Sequence, residues 1–478
     1  MAASKAWKFG DPTAPAFPDE FDIVQKAVLQ VTDIKTNHNK YYAIELHRAT
    51  HDGVACFRVF THYGRTDDLD TNPNAGQREC RYFDSLPLAQ ANYETILREK
   101  TGPRKGYQEV ALASSKIGSQ QARGTASGTV DGKTLDKLKS TAGPAPAAAT
   151  STLSPGVQTL VRYLYDEATS ALTSTVAAKI TAHGIETPLG ILTVGQIEKG
   201  EKLLAEIYAL FQQKQGKQRD DRLVELSGDF YSTIPHRLGR SRSAIDQAVI
   251  NTLPSIHQKQ ETLQLMKDML QVNGDGSVLF DAAVDKEYQA LRCKLHWLDP
   301  QGGHFQELAD HVVRSQLRTR TIQVKNIFTV KRAGEWEAFA KDVGNEKLLF
   351  HGSRIQNWVG ILSRGIVMPK IAVSMGVQRT DAGWLGNGIY FGDAACTSAF
   401  YTSPGKQNTR LMTIARVALG KQKEYTKITY GLAGPPDGYH SCLGVRNQPG
   451  LRSEFQDDEY VIYRPQQHRL EYLVEFVA

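Results

Sequence analysis

Leu348-Leu349-Phe350-His351-Gly352-Ser353 and, further on, Gly386-Asn387-Gly388-Ile389-Tyr390-Phe391 decide how this chain is read. An apolar strand from Lys347 to Phe350 ends at a polar His and a Gly. Ile389-Tyr390-Phe391 is a second short β-prone run, released from a glycine turn. Gly352, Gly386 and Gly388 fall where a backbone bends sharply or comes close to a ligand. Ser398 and Tyr401 follow within reach. A cleft built from this stretch carries an imidazole, two phenols, a hydroxyl and exposed backbone amides. That set suits a flat polar heterocycle with a ribose attached.

Taken singly, each signal has an ordinary structural reading. A His after a strand is more often a satisfied core residue, and Tyr390 and Tyr401 would more often be packing. The combination is more specific. His351-Gly352-Ser353, Gly388-Ile389-Tyr390-Phe391, Ser398-x-x-Tyr401 and Asp458-Glu459-Tyr460-Val461-Ile462-Tyr463 occur in that order. Together they closely resemble the catalytic domain of the poly(ADP-ribose) polymerase family, which transfers ADP-ribose from NAD. Cleaving a nicotinamide–ribose bond passes through an oxocarbenium-like sugar, so a carboxylate beside the ribose is the expected device.

The resemblance implies that Glu459 is that carboxylate and orients the acceptor. It implies that His351 holds the adenine ribose and Tyr390 packs beside the nicotinamide ribose. Tyr401 would stack on the nicotinamide, and the Gly352 backbone and Ser398 hydroxyl would bind its carboxamide. Ser353 and Gly388 would line the same site. Asp457 and Asp458 read as solvated flanking charges. NAD is implied as substrate, with no metal. The His, Tyr and Glu set resembles members that elongate polymer, although Thr397 stands where such a member often carries Lys. Val367 stands where an Arg is expected after His351-Gly352. Gln378-Arg379-Thr380-Asp381 and the following glycines resemble the vault-associated member of the family.

Length and composition set the frame. At 478 residues, two to four domains are expected. A hydrophobic content of 41% and charged content of 23% are ordinary for globular protein. The net charge of +6 permits nucleic-acid binding without demanding it. No apolar run is long enough to span a membrane, and the first residues lack a secretory signal core. Five scattered cysteines indicate neither a disulfide framework nor a zinc site. A reducing intracellular compartment is the plain expectation: the nucleus in a eukaryotic host, the cytoplasm in a bacterial one.

In chain order, residues 1–20 read as a flexible lead-in and 21–112 as a small β-rich domain. Its candidate strands are Ala27–Val31, Tyr41–His47 and Val54–Thr61, followed by a helix from Leu86 stopped by Thr101-Gly102-Pro103. Tyr63-Gly64-Arg65 after the third strand resembles a WGR domain with Tyr in place of Trp. The resemblance implies binding of DNA ends or nicks, with Tyr63 stacking and Arg65 on phosphate. The acidic Asp67-Asp68-Leu69-Asp70 beside them opposes that. Residues 113–153 are Ala-, Ser- and Gly-rich and read as a linker. Residues 154–273 read as all-helical, opening at Ser154-Pro155, with a capping box at Thr193 and Gln196. They resemble the family's regulatory helical domain, with His236 as a turn residue. Residues 274–478 read as mixed α/β.

The fold class expected is therefore multidomain α+β: a WGR-like domain, an all-α regulatory domain and a mixed α/β ADP-ribosyltransferase fold. The function expected is transfer of ADP-ribose from NAD to protein acceptors, itself included, with polymer elongation and stimulation by DNA ends. Two alternatives are a mono-ADP-ribosyltransferase and a non-catalytic nucleic-acid-binding or scaffold protein.

Overall fold

The computed structural model describes residues 5–127, 151–176, 178–181, 184–236, 238, 241–273, 284–317, 321–368 and 383–478. The chain divides into two compact units, Met1–Pro144 with Leu172–Leu270, and Ala145–Ala171 with Gln271–Ala478.

The first unit opens with a six-stranded sheet ordered β1-β5-β4-β3-β2-β6. Its strands are β1 (Trp7–Lys8), β2 (Asp22–Asp33), β3 (His38–His51), β4 (Val54–Arg65), β5 (Gln77–Phe83) and β6 (Gln108–Glu109). Helix α1 (Leu86–Thr101) lies between the last two. Residues Tyr41 to His47 of β3 are buried in succession rather than alternately. Both faces of the sheet are covered. Ala89, Tyr93 and Ile96 of α1 pack on Leu29, Ile44, Leu46 and Val59. Glu45, on the covered sheet, accepts from Ser119 N at 2.8 Å, and His62 Nδ1 accepts from Gly118 N at 3.2 Å. The composition from residue 113 onward reads as tether. Here β7 (Leu112–Ser115) is a strand, and residues 116–127 are turns pinned to the sheet. Buried polar partners far off in sequence hold them, and composition carries no sign of such partners.

The helical region begins with α2 (Pro155–Thr175), its Pro at the first helical position as expected. Three short strands follow, β8 (Lys179–Thr181), β9 (Gly184–Glu186) and β10 (Gly190–Leu192). They join β7 in a four-stranded sheet ordered β7-β10-β9-β8. Then come α3 (Val194–Phe211), α4 (Lys217–Thr233), α5 (Arg242–Asp246) and α6 (Leu253–Asn273). Thr193 caps α3 by accepting from Gln196 N at 3.2 Å. The capping box is only half made. The Gln196 side chain accepts from Ala111 N at 3.2 Å and donates to the Thr233 carbonyl at 3.1 Å, so it ties three segments together. Helix α4 lies on β2, where the Ser232 hydroxyl accepts from Thr32 N at 2.7 Å. His236 is buried, with Nδ1 2.7 Å from the Ile234 carbonyl.

The second unit is built on a nine-stranded sheet ordered β11-β12-β19-β15-β13-β14-β18-β17-β16. It contains α7 (Val284–Ala290), β11 (Cys293–Trp297), α8 (Gly303–Arg314), β12 (Gln323–Arg332), α9 (Glu335–Ala338), β13 (Glu346–Gly352), α10 (Trp358–Arg364) and β14 (Ile389–Gly392). These are followed by α11 (Ala395–Ala399), β15 (Arg410–Ala418), β16 (Gln422–Tyr425), β17 (Ser441–Gly444), β18 (Glu459–Ile462) and β19 (His468–Val477). Phe305, Leu308 and Val312 recur on one face of α8 and pack on Ile327, Phe350, Met412, Ile414 and Val474. That cluster anchors β13, whose last residues are His351 and Gly352. No helix among the described residues is long and apolar enough to cross a membrane.

Candidate active site

Four element ends converge in the second unit. β13 delivers His351 and Gly352, β14 delivers Tyr390, α11 delivers Ser398, and β18 opens with Glu459. His351 Nδ1 lies 2.8 Å from the Tyr390 carbonyl. Burial lowers the ring's pKa, which keeps it neutral. In the neutral ring Nδ1–H donates to that carbonyl, and Nε2 is left to accept from a ligand hydroxyl.

Gly352 is there because nothing larger fits. A Cβ on it would stand 2.0 Å from the Ser398 carbonyl oxygen and 3.0 Å from Thr402 Cγ2. The backbone of β13 thus lies directly against α11, with Ser398 only 5% exposed. Gly388 has the same kind of reason, since a Cβ would meet Val461 Cγ1 at 2.1 Å. The Tyr390 hydroxyl accepts from Leu385 N at 2.9 Å and donates to the Gly386 carbonyl at 2.8 Å. It therefore braces the glycine turn as well as lining the site. The Ser353 hydroxyl accepts from Asn357 at 3.1 Å and so faces its own turn. Tyr401 is 65% exposed.

Glu459 is paired with Gly392 of β14 on one side and Gly444 of β17 on the other. A Cβ on Gly444 would meet the Phe455 ring at 2.5 Å, whereas the nearest atom to one on Gly392 is 3.7 Å away, so the Gly444 side is filled and the Gly392 side is more open. Burial first, and the charge of Asp457 second, push its carboxyl up to about 7. Asp457 and Asp458 are not solvated flanking charges. Asp457 is 4% exposed and accepts from the Thr397 hydroxyl. Asp458 accepts from Arg446 N at 2.8 Å and from its guanidinium at 3.1 Å. Acidic runs usually face water, and only the fold back through Arg446 and Thr397 buries this one. The Thr397, Asp457 and Arg446 contacts had no signal in the motif itself.

The loop after Tyr401 is held by α2. Glu167 accepts from Lys406 N at 2.7 Å, and Lys406 Nζ donates to Ser170 at 2.5 Å. Residues 369–382, which include Gln378, Arg379, Thr380 and Asp381, lie outside the described residues.

In the first unit, Tyr63 stacks on Tyr42 with centroids 5.2 Å apart and 12° between planes. Lys100 Nζ sits 4.8 Å from the other ring of that stack. Arg65 donates to Asp67 at 3.1 Å and to the Asn37 carbonyl at 3.2 Å. Asp67 therefore anchors Arg65 more than it repels a ligand from it. A cleft of about 630 Å³ opens beside them, lined by Lys35, His38, Lys40, Lys100, Arg104 and Lys105 among others. These cations come from two short segments remote in sequence, so no single basic run marks them.

Strand and helix ends thus bring His351, Tyr390, Ser398 and Glu459 together, and comparison with known proteins gives the family. Residues 304–478 match the poly(ADP-ribose) polymerase catalytic domain, 151–274 the poly(ADP-ribose) polymerase regulatory domain, and 25–113 the WGR domain. The chain belongs to the poly(ADP-ribose) polymerase family. It is 33% identical to protein mono-ADP-ribosyltransferase PARP4 of Mus musculus over 68% of this chain and 16% of that protein. It is 26% identical to poly [ADP-ribose] polymerase 2 of Homo sapiens over 95% of this chain and 79% of that protein. With protein mono-ADP-ribosyltransferase PARP3 of Mus musculus it shares 26% over 94% and 87%. The chain thus spans less than a fifth of the PARP4 relatives it matches, at 16% and 18% of their lengths.

Proposed function

We propose that this chain transfers ADP-ribose from NAD to protein acceptors, itself included, and elongates the product into polymer, with stimulation by DNA ends or nicks. The observation that carries the reading is the convergence of His351, Gly352, Tyr390, Ser398 and Glu459 from separate element ends. The Gly352 backbone and Ser398 hydroxyl bind the carboxamide of nicotinamide, and Tyr401 covers the ring. His351 Nε2 takes a ribose hydroxyl. Glu459 faces the positive charge that develops on the ribose as the nicotinamide departs, and orients the incoming acceptor. α2 grips the loop after Tyr401, and this supports control of the same pocket by the helical region.

A second reading, transfer of a single ADP-ribose, is favoured by one observation. Position 397 holds a Thr bonded to Asp457, not a cation. The test is incubation with labelled NAD, with and without nicked DNA, read on a denaturing gel. A ladder supports elongation, a single shifted band supports single transfer, and an unlabelled chain that leaves NAD intact overturns both. Equal labelling with and without nicked DNA at low salt overturns the DNA-stimulation part alone.

A further inference from the structure

We propose that Arg446 is a positioning residue for Glu459: one guanidinium ties together the three strand ends that surround the reacting carboxylate. The inference rests on the transferase reading above and names how that site is held. β14 ends at Gly392 and β17 at Gly444, and both residues pair with Glu459 at the start of β18. Just past these ends stand Asp393, Arg446 and Asp458. Arg446 Nη2 donates to Asp393 and, at 3.1 Å, to Asp458. Its backbone N donates to Asp458 Oδ1 at 2.8 Å. The three side chains are 24%, 34% and 19% exposed, so the cluster is partly shielded from water.

Among the described residues no side chain is hydrogen-bonded to the Glu459 carboxylate, so its place is set by the backbone that carries it. Asp458 is the residue before it, and Arg446 holds Asp458 by both carboxylate oxygens. Asp393 lies just ahead of α11, which carries Ser398. The same cation therefore ties the carboxylate side of the site to the carboxamide side. Both side-chain bonds leave the same Nη2, whose two N–H groups are fixed in the guanidinium plane, whereas an ammonium at the end of a flexible stem has no such fixed directions. Without it, two aspartates would face each other across the turn, and the strand ends would part.

The whole chain carrying R446Q, R446K or D393N tests this. R446Q should lower kcat for transfer by about tenfold to a hundredfold, as expected when a reacting group is misplaced by an ångström or less. KM for NAD should rise by less than kcat falls, because the side chains of Ser398 and Tyr401 and the backbone of Gly352 remain. R446K should recover only part of kcat. Hydrogen exchange at residues 393–398 and 458–460 should quicken in R446Q, a readout that needs no activity. Wild-type kcat in R446Q, or wild-type exchange at these amides, overturns the clamp. Should R446Q fail to fold, D393N decides: it keeps the Arg446–Asp458 half, and unchanged kcat and exchange in it overturn the clamp. A wild type that leaves NAD intact overturns the transferase reading instead, and exchange still decides the clamp.

Discussion

Glu459 has the most exacting environment of any residue in the site. Its carboxyl is pushed up to about 7, by burial first and by Asp457 second. The folded chain therefore holds this proton to higher pH than the unfolded chain does. Its contribution to stability is fully present below the ordinary glutamate value of 4.5 and is lost as pH rises through about 7. Under the proposed transfer, activity runs the other way, because the charged form is the one that would face the sugar cation. Transfer should rise with pH through a midpoint near 7, and D457N should move that midpoint lower. A pH–rate profile of the two proteins checks the sign, and a midpoint that stays put in D457N contradicts it. E459Q removes the charge at constant shape and should cost about 10²–10³ in rate, with NAD binding retained. Gly352 makes a separate case. The Cβ of G352A would meet a backbone carbonyl at 2.0 Å, which cannot swing aside. Overpacking of this kind typically costs about 1–3 kcal/mol. Chemical denaturation should show that loss, and KM for NAD should rise with it.

Among the elements, α4 shows two local effects in opposition. Gly228 lies inside the helix, where Ala is favoured over Gly by roughly 1 kcal/mol. Yet a Cβ at Gly228 would stand 2.5 Å from the Thr32 carbonyl oxygen of β2. The clash, at about 1–3 kcal/mol, outweighs the propensity gain. G228A should therefore destabilise the first unit and disturb the bond from Thr32 N to Ser232, 2.7 Å long. A G228A protein that unfolds at higher denaturant than wild type would show that α4 is free to move off β2. In the second unit, α8 behaves as its pattern suggests. Phe305, Leu308 and Val312 are apolar at helical spacing, and all three are buried.

Across the molecule, charge gives the sharpest test of the proposed DNA response. Arg65 already spends a hydrogen bond on Asp67, so it is not the strongest candidate for phosphate. Lys100, Arg104 and Lys105 line the neighbouring cleft with Lys40. Each cation that meets a phosphate adds about 0.9 to the slope of log affinity against log salt. Replacing Lys100, Arg104 and Lys105 with Gln should flatten that slope for nicked DNA and weaken stimulation at low salt. Fluorescence anisotropy across a salt series measures it. A slope identical to wild type would take DNA away from this cleft.

The sequence alone determined the main strands and helices and the candidate site residues on them, but not the short strands β7 to β10. His351, Gly352, Tyr390 and Glu459 sit at strand ends that apolar runs and glycine turns mark out, because a β-strand needs only local pattern to be seen. The family resemblance rests on the same local runs, and the matched domains agree with it. What the tertiary structure alone decided is everything carried by partners remote in sequence. Asp457 is buried against Thr397 and Asp458 is drawn in by Arg446, and Gln196 leaves its cap to join Ala111 and Thr233. Residues 116–127 look like tether until Glu45 and His62 are set against them. Composition and periodicity report how a residue treats water and its near neighbours. They carry no information on which distant donor arrives to satisfy a carboxylate that the fold draws out of water.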